Sequence, residues 1–244
     1  MKFAIDIGHN APSRDTGAQG VKSEDLLTAE VGQRLIDILR SAGHVVVETC
    51  PLISTSLGGS LAHRVAVANS SNADIFVSIH FNAFNRKAYG SEVFALSKAG
   101  AAIAKSILDE IVKLGFYNRG VKRAPFYVLK HTKMPAVLVE CCFCDSAKDM
   151  KIYDPQKMAE AIATGLIGEL PENEYRLRTL RVNKTTWLKK STEQASGLPN
   201  ADKQLLKPGK YQVLSALPCE EGHYFVKLVN ESEWFIYAGH AELF

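Results

Sequence analysis

No apolar run in the 244-residue chain reaches the ~18–20 residues needed to cross a bilayer, which argues against membrane insertion. The opening Met1-Lys2-Phe3-Ala4-Ile5-Asp6 has one cation and too short an apolar stretch for a secretory leader. The chain is therefore expected to stay in the cytoplasm of the producing cell, or to leave by a route it does not encode. Cysteine is scarce and odd in number: Cys50, Cys141, Cys142, Cys144 and Cys219, three of them clustered, which excludes a disulfide framework as the organising device. Cys141 and Cys144 form a C-x-x-C, but no second Cys or His pair follows at zinc-finger spacing. They read as small apolar residues in and just after a buried strand. The net charge is only +3, and the excess lies wholly after residue 175. That is compatible with an anionic polymer as partner and too weak for nucleic acid, which wants a strongly basic face. Long repeats and low-complexity tracts are absent.

Two stretches that are present end alike. Ile5-Asp6-Ile7-Gly8-His9-Asn10 and Ile75-Phe76-Val77-Ser78-Ile79-His80-Phe81-Asn82 are apolar runs that reach a histidine and then an asparagine. Short apolar runs read as buried strands, and the reactive edge of an open α/β sheet lies at the carboxyl ends of its strands. A third run, Ala136-Val137-Leu138-Val139-Glu140, brings a glutamate to that edge. Two histidines and a carboxylate converging there suggest a zinc hydrolase.

Around these runs the pattern alternates. Strands are expected at Phe3–Ile7, His44–Thr49, Asp74–Ile79, Gly90–Leu96, Phe126–Leu129 and Ala136–Cys142. Helices are expected from Glu24 to about Ala42, capped by Ser23 and ended by Gly43, with Val31, Leu35, Ile38 and Leu39 on one face. Others are expected at Ser60–Asn69, at Lys98–Leu114 ended by Gly115, and from Pro155 to about Leu170. This alternation predicts an α/β domain over residues 1–170, a mixed sheet covered by helices on both faces. Residues 171–176 read as a polar, proline-containing linker. Over 177–244, strand candidates at Arg178–Val182, Lys210–Leu214, Tyr224–Val229 and Trp234–Tyr237 are separated by Gly, Pro and Asn turns, which predicts a small all-β barrel. Its aromatics, Trp187, Tyr211, Tyr224, Trp234 and Tyr237, are expected mostly in the core, with one or two facing a ligand groove.

A catalytic zinc wants three protein ligands and an open position. His9 and His80 offer imidazoles, and the 10–22 loop can return Glu24 toward His9. From spacing alone Glu24 stands no better than Asp6, Asp15, Asp25 or Glu30, and a carboxylate at a helix N-terminus is also simply favourable there. Glu140 ends its strand with no charge partner close by in sequence. It is a candidate general base, or else an ion-pair partner of Arg64 or Arg123. His44 and His63 are assigned to surface or packing positions, and His131 to a loop.

Several motifs occur in a telling order. They are Ile5-Asp6-Ile7-Gly8-His9, Gly17-Ala18, Glu24-Asp25-Leu26, Leu61-Ala62-His63-Arg64-Val65-Ala66-Val67-Ala68-Asn69, Ser78-Ile79-His80-Phe81-Asn82-Ala83, Gly90-Ser91-Glu92-Val93, Val128-Leu129, and Met134-Pro135 leading into Ala136–Glu140. This set resembles the zinc-dependent N-acetylmuramoyl-L-alanine amidases of the amidase_3 type, cell-wall hydrolases that include many phage endolysins. The resemblance implies zinc ligands His9, Glu24 and His80, a catalytic Glu140, and peptidoglycan as substrate. It also implies action on the wall after release from the cell. One departure is visible: Cys142 precedes Phe143 where many members have Gly, and a packing change is expected there. Trp187-Leu188-Lys189 and Trp234-Phe235-Ile236-Tyr237 resemble a bacterial SH3-type cell-wall-binding module. Two other functions remain open at this level: a zinc peptidase cutting the stem peptide, and a non-catalytic wall-binding protein, for which Glu140 has no evident use.

Overall fold

The computed structural model describes residues 1–11, 14–170, 178–228 and 232–243. The chain divides into two compact units, Met1–Glu172 and Asn173–Phe244. The linker expected at 171–176 lies outside the described residues.

In the first unit, strands β1 (Lys2–Ile7), β2 (Val45–Glu48), β3 (Ile75–Asn82), β4 (Ser91–Ala95), β5 (Asn118–Lys122) and β6 (Ala136–Phe143) form one sheet in the order β2-β1-β3-β6-β4-β5. The four strands from β2 to β6 are mutually parallel, while β4 is antiparallel to β6 and parallel to β5. Strand periodicity of two sorts the side chains onto two faces. Phe3, Ile5, Val77, Ile79, Val137 and Val139 face one way. They pack against Leu27, Val31, Leu35 and Leu39 of α1 (Glu24–Ser41), Ala104, Ile107 and Ile111 of α3 (Lys98–Lys113), and Met158 and Ile162 of α6 (Pro155–Ile167). Ala4, Phe76 and Leu138 face the other way, under Val65 and Ala68 of α2 (Leu57–Ser70) and Val128 and Leu129 of α4 (Tyr127–His131). Each fully buried aliphatic contributes about 1.5–3 kcal/mol, so these two layers hold the sheet edge rigidly.

Helix starts follow local chemistry. Ser23 Oγ accepts from Leu26 N at 3.3 Å, Ser97 Oγ from Gly100 N at 2.9 Å, and Asp154 caps α6 ahead of Pro155. The first helix buries Leu27 and Ile36 as well as Val31, Leu35 and Leu39, and Ile38 only partly.

The strand expected at Phe126–Leu129 is instead α4. A short apolar run carries no period that separates strand from helix. Asn69 ties the end of this helix to α2: its Nδ2 donates to His131 O at 3.0 Å and its Oδ1 accepts from Lys133 N at 2.9 Å. His131 accordingly lies at the end of a helix rather than in a loop. The polar edge strand β5 and the short helix α5 (Ala147–Ile152) carry no apolar pattern that announces them.

The second unit is a seven-stranded antiparallel sheet in the order β13-β7-β10-β11-β12-β8-β9. Its strands are β7 (Arg178–Val182), β8 (Thr186–Lys189), β9 (Lys203–Leu206), β10 (Gly209–Cys219), β11 (His223–Leu228), β12 (Glu233–Tyr237) and β13 (Ala241–Leu243). The core is Leu180, Val182, Leu188, Leu206, Val213, Val226 and Ile236, with Tyr211, Tyr224 and Trp234 packed against it. Trp187 and Tyr237 are exposed. They line a cavity of about 430 Å³ together with Lys189, Glu221, His223 and His240. Val229, the expected end of one strand, lies outside the described residues. No helix among the described residues is long and apolar enough to cross a membrane.

Candidate metal centre and active site

β1 ends at Ile7, and the chain then turns through His9 (φ 56°) and Asn10 (φ 54°). Two consecutive non-glycine residues in the left-handed region are costly, and Asn10 offsets this by stapling the turn to α1. Its Nδ2 donates to Gly8 O (2.9 Å), Asp25 O (3.1 Å) and Thr28 Oγ1 (2.8 Å). The matching asparagine after His80, Asn82, donates to Glu92 Oε1 at 3.0 Å and ties β3 to β4.

Glu24 opens α1 and comes back beneath both histidines. Its Oε1 lies 3.3 Å from His9 Nε2 and 3.2 Å from His80 Nδ1, and it accepts from Phe81 N at 3.1 Å. Its Oε2 accepts from Ala18 N at 2.9 Å. The two imidazoles stand edge to face, with centroids 4.9 Å apart. Two glycines make room for His80 and Glu24. A Cβ on Gly8 would sit 2.5 Å from His80 Nε2, and one on Gly17 would sit 2.7 Å from Glu24 Cβ.

One ligand atom from each of His9, Glu24 and His80 falls within 4.8 Å of the others, the only such cluster of metal-ligating side chains among the described residues. The four carboxylates that spacing could not separate from Glu24 are engaged elsewhere. Asp6 binds Arg64, Asp15 faces the far side of His9, Asp25 accepts from Asn10 N and Gly17 N, and Glu30 accepts from Tyr153 Oη. Two imidazoles and one carboxylate meeting at a point, with His80 partly open to solvent, fit a tetrahedral zinc that keeps an open position.

Glu140 stands in register with His80 on one side and Glu92 on the other, so the three side chains form one row on one face. Neither candidate arginine pairs with it: Arg64 is taken up by Asp6 and Asp15. Its Oε2 is buried and has no hydrogen-bond partner. Burial, with the negative charges of Glu24 and Glu92 added and the positive charges of the histidines opposing, pushes its pKa up to about 7. Glu92 is itself satisfied by Lys122, by Arg119 Nε at 2.7 Å and by Asn82. For His9, burial opposes the charge, but hydrogen bonds to and the charges of Glu24 and Asp15 outweigh it and push its pKa up to about 9. Glu24 is held well below the ordinary carboxylate range: burial opposes this, and the two histidines prevail.

Three arrangements escape the sequence: Asp15 against the outer nitrogen of His9, Arg64 bound to Asp6 and Asp15, and the Glu92 cluster with Arg119 and Lys122. Arg64 is the lone arginine of α2, and its carboxylate partners Asp6 and Asp15 lie 58 and 49 residues away in sequence. Cys50, Cys141, Cys142 and Cys144 are free thiols, the last three buried. Burial raises their thiol pKa values, Cys144 to about 11, as inert packing residues require.

Residues 3–168 match the Amidase_3 family, N-acetylmuramoyl-L-alanine amidase, and the chain belongs to that family. The amidase LytC of Bacillus subtilis (strain 168) is 36% identical over 177 residues, covering 67% of this chain and 34% of LytC. The endolysin of Bacillus phage SPP1 is 29% identical over 170 residues, covering 66% of this chain and 61% of the endolysin. This chain thus spans less than two thirds of the length of these curated relatives. Among solved structures, the catalytic domain of the CD27L endolysin targeting Clostridia Difficile superposes with TM-score 0.66 at 29% identity, covering 70% of this chain and 99% of that one. The amidase AmiC2 of Nostoc punctiforme superposes with TM-score 0.61 at 32% identity, covering 68% and 95%.

Proposed function

We propose that the first unit hydrolyses the amide bond between N-acetylmuramic acid and L-alanine in peptidoglycan, with zinc held by His9, Glu24 and His80 and with Glu140 as the proton-transfer residue. The observation that carries this reading is the convergence of the three ligand atoms beside a buried carboxylate oxygen that has no partner of its own. When bound, zinc supplies Lewis-acid polarisation of the scissile carbonyl and lowers the pKa of a water at its open position toward ~7. Glu140 takes the proton from the attacking water and returns it to the departing amine of L-alanine. Burial raises the proton affinity of this carboxyl above that of an exposed glutamate, which suits a group that takes up a proton and returns it. Burial keeps bulk water from competing for Oε2. Glu92, tied down by Arg119 and Lys122, keeps a fixed negative charge beside Glu140 and favours the proton's transfer onto it.

The second unit is proposed to be an SH3-like module that holds the enzyme on the wall and raises its local concentration there, with Trp187 and Tyr237 at its ligand cavity. The endolysin likeness supports a lytic enzyme that acts on the wall after release.

The test is digestion of purified peptidoglycan followed by mass spectrometry. Lactyl-terminated muramic acid and peptides beginning with L-alanine are expected. Glu140→Gln should lower kcat by about 10²–10⁴-fold without loss of zinc. Cleavage inside the stem peptide identifies a peptidase instead, and full activity of Glu140→Gln refutes the assigned role.

A further inference from the structure

His9 and His80 offer opposite nitrogens to the same carboxylate oxygen. His9 turns Nε2 toward Glu24 Oε1 at 3.3 Å, whereas His80 turns Nδ1 toward it at 3.2 Å. An imidazole that donates a lone pair through one nitrogen carries its proton on the other. For His9 that other nitrogen, Nδ1, lies 2.9 Å from Asp15 Oδ1.

Asp15 is held more firmly than a surface partner would be. Ser60 Oγ donates to its Oδ2 at 2.6 Å, and Arg64 Nη2 donates to the same oxygen at 3.1 Å. The guanidinium also reaches Asp6, Ile7 O at 2.8 Å and His9 O, so one side chain grips both the carboxylate and the backbone of His9. Ser78 Oγ (2.6 Å) and Thr49 Oγ1 (3.2 Å) complete Asp6. Asp6, Asp15, Ser60 and Arg64 are all buried, none above 4% exposed. A buried carboxylate–arginine–carboxylate group is weak evidence for stability, because desolvation offsets its attraction. Its placement instead coincides with the left-handed turn that carries His9.

We propose that Asp15 is a positioning residue: it fixes His9 as the Nδ1–H tautomer with Nε2 turned to the metal site, and Ser60 and Arg64 hold Asp15 in place for that task. The inference rests on the zinc reading above and deepens it. Carboxylate partners of metal-bound histidines typically contribute 10–100-fold in metal affinity.

The experiment uses the full-length, zinc-loaded, ¹⁵N-labelled protein. Long-range ¹H–¹⁵N correlation should show His9 protonated at Nδ1 and metal-shifted at Nε2, with His80 the reverse. In Asp15→Asn, chelator competition should show zinc held about 10–100-fold more weakly, with the His9 nitrogen shifts altered and those of His80 unchanged. Ser60→Ala leaves Asp15 in place without one donor, and should give a smaller weakening with the same selectivity for His9. It serves if Asp15→Asn fails to fold. Metal bound through His9 Nδ1, or unchanged affinity and His9 shifts in the folded variants, overturns the proposal while leaving the zinc reading intact. A wild-type chain that binds no zinc overturns both.

Discussion

Gly8→Ala is the smallest change that should disable the candidate centre without touching a ligand. The added Cβ would lie 2.5 Å from His80 Nε2 and Cε1 and 2.4 Å from Ile79 O. To restore ordinary contact near 3.4 Å the ring must retreat by roughly 0.9 Å, since repulsion at shorter range outweighs any dispersion gain. The backbone cannot give way easily, because Gly8 N donates to that same Ile79 O at 3.0 Å, and the pair anchors β1 to β3 just before both histidines. Overpacking of this kind costs typically ~1–3 kcal/mol. That corresponds to a Tm loss of roughly 2–12 °C for a unit of this size. The larger effect falls on the metal. Ligand distances in metal sites hold to about ±0.2 Å, so a displacement several times that should weaken zinc binding by at least about tenfold and lower kcat/KM further. Chelator competition and thermal unfolding, measured on the same preparation, separate the two effects. Gly8→Ala with wild-type zinc affinity and unchanged Tm would refute the reasoning, because it would mean that His80 is not held against β1 as described.

The remaining predictions concern protons and the second unit. In the metal-free protein, the contribution of His9, raised from 6.5 to about 9, is fully present below pH 6.5 and fades as pH rises toward 9. The contribution of Glu24, depressed from 4.5, is present above pH 4.5 and is lost as pH falls toward its lower folded value. Pairing at the centre should therefore support the metal-free fold best between pH 4.5 and 6.5. Zinc and the His9 proton compete for the same lone pair, so the Tm increase on adding buffered zinc should grow from pH 6.5 to 9; an increase that shrinks over that range contradicts the ligand assignment. In the second unit, replacing Trp187 and Tyr237 together by alanine should lower retention on purified walls by about tenfold or more in a pelleting assay, since exposed aromatics dominate binding energy. Undiminished retention would move the wall contact away from that cavity.

The parts of the first unit that sequence discloses are those built from local pattern. The apolar runs of β1, β3 and β6 and the periodicity of 3.6 in α1 are visible along the chain. The two His-Asn endings mark where strands meet the sheet edge. What stays hidden depends on pairs of residues far apart in sequence. Phe126–Leu129, expected as a strand, lies at the start of α4, whose end is tied to Asn69 by hydrogen bonds with the main chain of His131 and Lys133, more than sixty residues away. In the second unit, β8, β9 and β13 are only three or four residues long, so pairing with neighbours rather than intrinsic pattern defines them.

Glu24 shows how such hidden pairs decide chemistry. Five acidic residues lie within reach of His9 by chain length, and spacing treats them alike. Folding separates them by what each has to satisfy. Asp25 must close the turn at Asn10 and Gly17, and Asp6 must neutralise a buried arginine. Asp15 is drawn to the outer nitrogen of His9 by Ser60 and Arg64. Glu24 is the one of the five that faces both imidazoles, with one oxygen fixed by the amide of Ala18 and the other turned to His9 and His80. That assignment depends on Gly17 being a glycine, because any side chain there would meet Glu24 Cβ and Cγ and turn the carboxylate away. The Gly-Ala turn and the glutamate seven residues later are therefore one structural unit. Its geometry, rather than the acidity of the helix start, makes Glu24 the residue that faces both histidines.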